Sequence, residues 1–104
     1  MAKIFVVFST IDSKESAEQI AHDLVIQQLA ACVNIIANIT SVYKWKGKVE
    51  HEAEHLMIVK TSENCLPNLM ERIKELHPYE VPEIIAFPIE HGYPPYLDWV
   101  TSTD

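Results

Sequence analysis

Five histidines, two cysteines and a short alternation of glutamates carry the most evident chemistry in this 104-residue chain. Imidazole suits copper, zinc and nickel, and Cu²⁺ binds such donors tightest among the divalent ions. The histidines are His22, His51, His55, His77 and His91. His51 and His55 are four apart; on a helix they would pair, but on a strand they share a face ~13 Å apart and cannot grip one ion. His77 is the better ligand candidate, at the end of a predicted helix beside Pro78 and Tyr79. Its competing role is to satisfy the last carbonyls of that helix. Cys32 could offer a thiolate to a soft metal, and it also fits as a small core residue opening a strand. Cys65 falls in the first turn of a helix, where a thiol can be acidified. Glu50, Glu52 and Glu54 share one strand face, and they read as a solvated edge that deters aggregation.

Enzyme signatures are missing. The only glycines are Gly47 and Gly92, so no glycine-rich loop exists to cradle phosphate. Neither GxSxG nor HExxH occurs. No catalytic residue is assigned, and binding is expected rather than turnover. Eight basic residues stand against 15 acidic ones, a net charge of −7. That balance opposes binding to a nucleic-acid polyanion, mildly favours cations and keeps a protein soluble. Two distant cysteines make no disulfide framework. The first residues run straight into a strand pattern without a secretory leader, and no apolar run nears the ~20 residues that span a bilayer. No membrane insertion and a cytoplasmic location are expected.

These residues need a scaffold, and the periodicity describes one. The length suits a single domain over residues 1–104. Residues 4–8 are a continuous apolar run, the mark of a central strand. Asp12 and Ser13 offer caps, with Glu15 completing a capping box on Asp12. Ala17, Ile20, Ala21, Leu24, Val25 and Leu29 follow at helical spacing, which predicts a helix over 12–29. From Cys32 the period becomes two. Val33, Ile35, Ala37 and Ile39 point one way, continuing through Ser41, Tyr43 and Trp45, and Lys46-Gly47 makes the turn. A hairpin over 32–61 results. Ser62 or Asn64 then caps a helix that His77-Pro78 ends. A strand over 83–89 and a short helix over 96–100 close the chain. The order β-α-β-β-α-β is the ferredoxin-like split βαβ: an α+β fold whose antiparallel sheet carries two helices on one face.

The hairpin has a consequence of its own. Arms of about 12 residues span ~40 Å, twice an ordinary strand, whereas the body of such a domain is about 30–35 Å across. The arms must overhang the body or bend at a bulge. An overhanging ribbon is marginal alone in water, and its edges expose unpaired backbone groups. Pairing with another copy of the chain is the simplest remedy.

Several segments resemble one family closely. They are Leu29-Ala30-Ala31-Cys32-Val33-Asn34, Tyr43-Lys44-Trp45-Lys46-Gly47-Lys48, Lys60-Thr61, His77-Pro78-Tyr79-Glu80-Val81-Pro82-Glu83-Ile84-Ile85 and Tyr96-Leu97-Asp98-Trp99-Val100. The pattern resembles the CutA divalent-cation tolerance proteins in register over nearly the whole chain. The resemblance implies a ferredoxin-like homotrimer whose strand edges pair between subunits, in a manner similar to the PII signalling proteins. It also implies tolerance of divalent metals, chiefly copper, with Cu²⁺ or another divalent cation as a ligand and no required cofactor. Some members carry a second histidine before the one matching His77; Leu76 stands there, so bidentate capture of copper by such a pair is lost. Tyr43, Trp45, Lys60, Tyr79 and Glu83 are the other motif residues. Two roles stand open for them: packing along the trimer seam, or lining clefts between subunits that bind a small molecule or a partner protein.

Overall fold

The alternation of periods two and 3.6 resolves into seven elements in a computed structural model that describes residues 3–102. Strand β1 is Ile4–Ile11, helix α1 Lys14–Ile26, β2 Cys32–Trp45 and β3 Lys48–Ser62. Helix α2 is Leu66–Leu76, β4 Ile85–Pro88 and α3 Pro94–Ser102. One sheet holds the strands in the order β2-β3-β1-β4, and every pairing is antiparallel. This is the α+β, split βαβ arrangement that the periodicity predicts.

The two central strands explain the continuous apolar run of β1. On one face Val7, Ile11, Met57 and Val59 are buried under Ala17, Ile20 and Leu24 of α1 and Leu69 and Ile73 of α2. On the other face Ile4 and Val6 are buried where α3, through Val100, crosses β1 and β3. That second cover is partial. Ile36, Ile85 and Phe87 lie on the same face and stay about half exposed.

Among the boundaries that differ from expectation, three do so for a physical reason. Helix α1 stops at Ile26, because Gln28 turns to φ +61° and the N–H of Leu29 bonds back to Leu24 O. No glycine marks that stop. Ser13, not Asp12, caps the helix by accepting the Ser16 N–H at 3.2 Å, which releases Asp12 to the surface. Strand β4 is only four residues, and Glu83 and Ile84 stay outside it. Pro82 has no N–H to give a ladder. At the second helix, Ser62 Oγ accepts the N–H of the N-cap residue Cys65.

The largest departure lies in the hairpin. Ile36 faces Leu56 while Ile39 faces Glu54, so Ala37 and Asn38 oppose the single residue His55. This bulge reverses the alternation. Val33 and Ile35 stand beside Val59 and Met57 on the core face, whereas Ile39, Ser41, Tyr43 and Trp45 pair with Glu54, Glu52, Glu50 and Lys48 on the opposite face. The single-face pattern read from sequence therefore breaks at Asn38. Asn38 sits at φ +61° and donates its N–H to Nδ1 of buried His55 at 3.2 Å. Asparagine tolerates that left-handed conformation better than other non-glycine residues. Beyond the bulge the hairpin overhangs the body. Strand β1 ends opposite His55, so Lys48 to Glu54 pair only with β2, and the molecule is 45 Å long against 26 and 22 Å across.

Two expectations follow. Asn38→Gly should leave the urea midpoint unchanged or raise it, while Asn38→Val should cost about 1–2 kcal/mol; equal midpoints for the two variants would contradict a strained bulge. Helices α1 and α2 are tied by Arg72, which donates to both carboxylate oxygens of Asp23 at 2.8 and 2.9 Å. The Arg72 hydrogen bonds hold the Asp23 carboxyl below its usual 3.8. Stability from a depressed carboxyl is present above the unfolded value and is lost as pH falls through the folded one. Both side chains remain partly in water, so Arg72→Ala should lower the melting temperature only slightly at pH 7. Thermal melts should show that deficit shrinking below about pH 4.

Candidate functional site

The reversed outer half of the hairpin faces the segment between α2 and β4, and the two enclose a cleft of ≈ 670 Å³. Its floor is Thr10 and Asp12 at the end of β1. One wall is Ser41, Val42, Tyr43, Trp45, Glu52 and Glu54 of the hairpin. The other is Tyr79, Glu80, Val81 and Glu83. The volume suits a small-molecule site.

A chain of hydrogen bonds sets the second wall. The His77 N–H closes α2 on Ile73 O at 2.8 Å. Its ring then turns inward: Nδ1 accepts the Tyr79 N–H at 3.2 Å and Nε2 meets Thr10 O at 2.8 Å. Since a carbonyl only accepts, Nε2 carries the proton and donates. The imidazole is buried and packs edge-on against the Tyr79 ring at 4.5 Å. Tyr79 Oη donates to Glu54 Oε2 at 2.6 Å across the mouth of the hairpin, and Glu54 is only 6% exposed. Burial first, then the hydrogen bond and charge of Glu54, push the Tyr79 phenol well above its usual range. Burial and the charges of Glu52, Glu54 and Glu50 raise Tyr43 as well. A tyrosine poised as base or nucleophile needs the opposite shift. Tyr79 is a donor, and both phenols wall the cleft.

The field in the cleft has one sign. Asp12, Glu52, Glu54, Glu80 and Glu83 line it, and no described lining residue is Lys, Arg or His. Such a site draws cations and repels phosphate. Among the described residues no three His, Cys, Asp or Glu side chains are gathered to hold a metal ion.

Of the residues singled out in the sequence, Tyr43, Trp45, Tyr79 and Glu83 meet in this cleft. His77 stands behind it as a brace, with both ring nitrogens engaged. Its partner is the Thr10 carbonyl, not the last carbonyls of its own helix. Lys60 and Cys32 face each other on β3 and β2, six residues along β3 from Glu54, or roughly 20 Å. There Lys60 Nζ and Cys32 Sγ both donate to Asn34 Oδ1. Cys32 is half-buried beside α3 rather than part of the core. Glu54 corrects the reading of a solvated edge, since it is enclosed and bonded. Thr10 and Ser41 carry no signal in the sequence, Asp12 reads there only as a helix cap, and Glu80 lies in the His77–Ile85 segment without being singled out.

The model of one family, described as CutA1 divalent ion tolerance protein, matches residues 5–103. A Thermus thermophilus protein named divalent-cation tolerance protein CutA is 52% identical over 95 residues, covering 91% of this chain and 92% of its own. The mouse protein named CutA is 50% identical over 93 residues, covering 89% of this chain but 52% of its own. The chain thus spans about half the length of that mammalian relative. A solved structure of the Thermus thermophilus divalent cation tolerance protein superposes with a TM-score of 0.90 at 50% identity, covering 93% of this chain and 94% of that one.

The Tyr79–Glu54 bond makes a prediction. Tyr79→Phe leaves a buried carboxylate without this donor and should cost about 1–3 kcal/mol, with Glu54→Gln in the same chain recovering part of the loss. A raised phenol contributes stability that is full below its unfolded value, near 10.0, and is lost as pH rises beyond it. In an alkaline absorbance titration, one tyrosine should ionise only with unfolding, and Tyr79→Phe should abolish that late step. A normal, early titration of all four tyrosines would rule out the enclosed bond.

Proposed function

The chain belongs to the CutA1 divalent ion tolerance protein family, and on that premise we propose that it serves divalent-cation tolerance as a homotrimer that retains cations weakly in the acidic cleft. The observation that carries this reading is the one-signed cleft: five carboxylates, with no Lys, Arg or His among the described lining residues. Spread carboxylates suit loose, exchangeable binding. Tight chelation of Cu²⁺ would ask for gathered imidazole or thiolate donors, and His77 and Cys32 stand apart from each other and from the cleft. Affinities of roughly 10⁻⁴–10⁻³ M are the scale for such oxygen sites. The role is binding, not turnover, and the proposed place of action is the cytoplasm. Among the described residues no helix is long and apolar enough to cross a membrane.

Assembly is part of the proposal. The hairpin overhang leaves the outer edge of β2, and the edge of Lys48–Glu54 in β3 that faces away from β2, without strand partners among the described residues. Ile36, Ile85, Phe87, Tyr96 and Trp99 are all more than 40% exposed. Unpaired edges and exposed apolar rings are what a sister copy would cover. Since the cleft borders the overhang, a neighbouring subunit would complete its open side. A second reading is a PII-like signalling module that binds a small molecule or partner protein at intersubunit clefts. The meeting of Tyr43, Trp45 and Tyr79 favours it, because a bare ion has no use for aromatic walls.

Two measurements test the first reading. Sedimentation equilibrium at micromolar concentration should give three times the mass of one chain; a folded monomer would remove the shared cleft. Calorimetric titration with Cu²⁺ and Mg²⁺ should show weak, salt-sensitive binding that Glu52→Gln with Glu83→Gln reduces severalfold. Heat equal to that of an unrelated acidic protein would reject direct cation retention.

A further inference from the structure

We propose that the cleft is shaped for an organic cation, an alkylammonium or polyamine with an apolar body, rather than for a bare metal ion; this rests on the reading of the cleft as the ligand site. Size is the first reason. A divalent ion with six waters occupies roughly 200 Å³ at ~30 Å³ per water, whereas the cleft holds ≈ 670 Å³. An ion in that space would float among carboxylates that do not converge, and among the described residues no three potential ligands come together. Ammonium groups spaced along an alkyl chain match carboxylates spread along two walls.

The second reason is the aromatic surface. Tyr43 and Trp45 line the cleft and yet remain 42% and 43% exposed. Val42 and Val81 continue that apolar surface and are exposed as well. A methylene chain or alkylated nitrogen would cover these rings and gain from their negative faces. The chain already displays this chemistry: its own Lys46 Nζ lies 5.8 Å from the centre of the Trp45 ring. That distance is within reach of cation–π attraction. Lys46 is not a lining residue of the cleft, and a ligand amine within it would make the same kind of contact with the Trp45 ring. Phosphorylated ligands meet only repulsion here, so the inference separates this site from nucleotide-binding clefts.

The test is calorimetric titration of the full chain in its native assembly with spermidine, at 0.15 M NaCl, alongside Mg²⁺ at matched ionic strength. Saturable binding should appear with a dissociation constant below ~1 mM. Trp45→Ala and, independently, Glu83→Gln should each weaken it about tenfold. Both side chains are exposed, so circular dichroism should stay unchanged, and the Glu83 variant keeps the test open if the Trp45 variant misfolds. Excess Mg²⁺ should not displace spermidine beyond the effect of ionic strength. Binding that both variants leave intact, or that Mg²⁺ displaces ion for ion, would overturn the proposal. Mg²⁺ and Cu²⁺ binding with no spermidine heat would overturn it while leaving weak metal retention standing. No heat from any of the three would remove both.

Discussion

A carboxylate shut away from water must be met by a donor, and the enclosure of Glu54 is the constraint from which the site follows. Removing an ion from water costs several kcal/mol unless hydrogen bonds replace the lost hydration. Here the replacement comes from Tyr79, 25 residues along the chain. The bond therefore does more than satisfy one oxygen. It fixes the loop after α2 against the hairpin and holds open the gap between them. Behind Tyr79, His77 joins the end of α2, the end of β1 and the loop through one ring. The wall of the cleft is thus fastened at its front by a charged acceptor and at its back by a neutral imidazole.

That arrangement gives the cleft its character. Its carboxylates are distributed, its aromatic rings half exposed, and its phenols held in the protonated form by burial and neighbouring negative charge. Everything in it lowers the energy of a positive charge beside an apolar surface. The histidine and cysteine that look most reactive in the sequence are used otherwise: one braces a loop, and the other shares an amide oxygen with a lysine at the far end of the sheet.

Much of this was legible in advance, because the signals were local. The apolar run of β1, the 3.6 spacing of α1 and α2 and the period of two after Cys32 each report the environment of neighbouring residues. Strand lengths alone required an overhang or a bulge, and the hairpin has both. The misses have a common cause. Gln28 ends α1 in a left-handed turn without glycine, and Asn38 does the same inside a strand, so neither announces itself. Glu54 reads as one of three equivalent glutamates, and only a tyrosine from a distant loop makes it different. The family resemblance pointed to Tyr43, Trp45, Lys60, Tyr79 and Glu83 together, and the tertiary fold was needed to separate Lys60 from the other four.

The extra residue at Ala37–Asn38 works like a reading frame for the hairpin. Strand faces alternate one by one, so every side chain outward of that point owes its orientation to a single added residue. Lengthening or shortening the arm between there and the tip by an even number would keep the rings and carboxylates on the cleft side. An odd change would turn them over and present Thr40 and Lys44 instead. Grafting new tips onto this scaffold therefore has a parity rule, and it comes from counting rather than from the chemistry of the residues inserted.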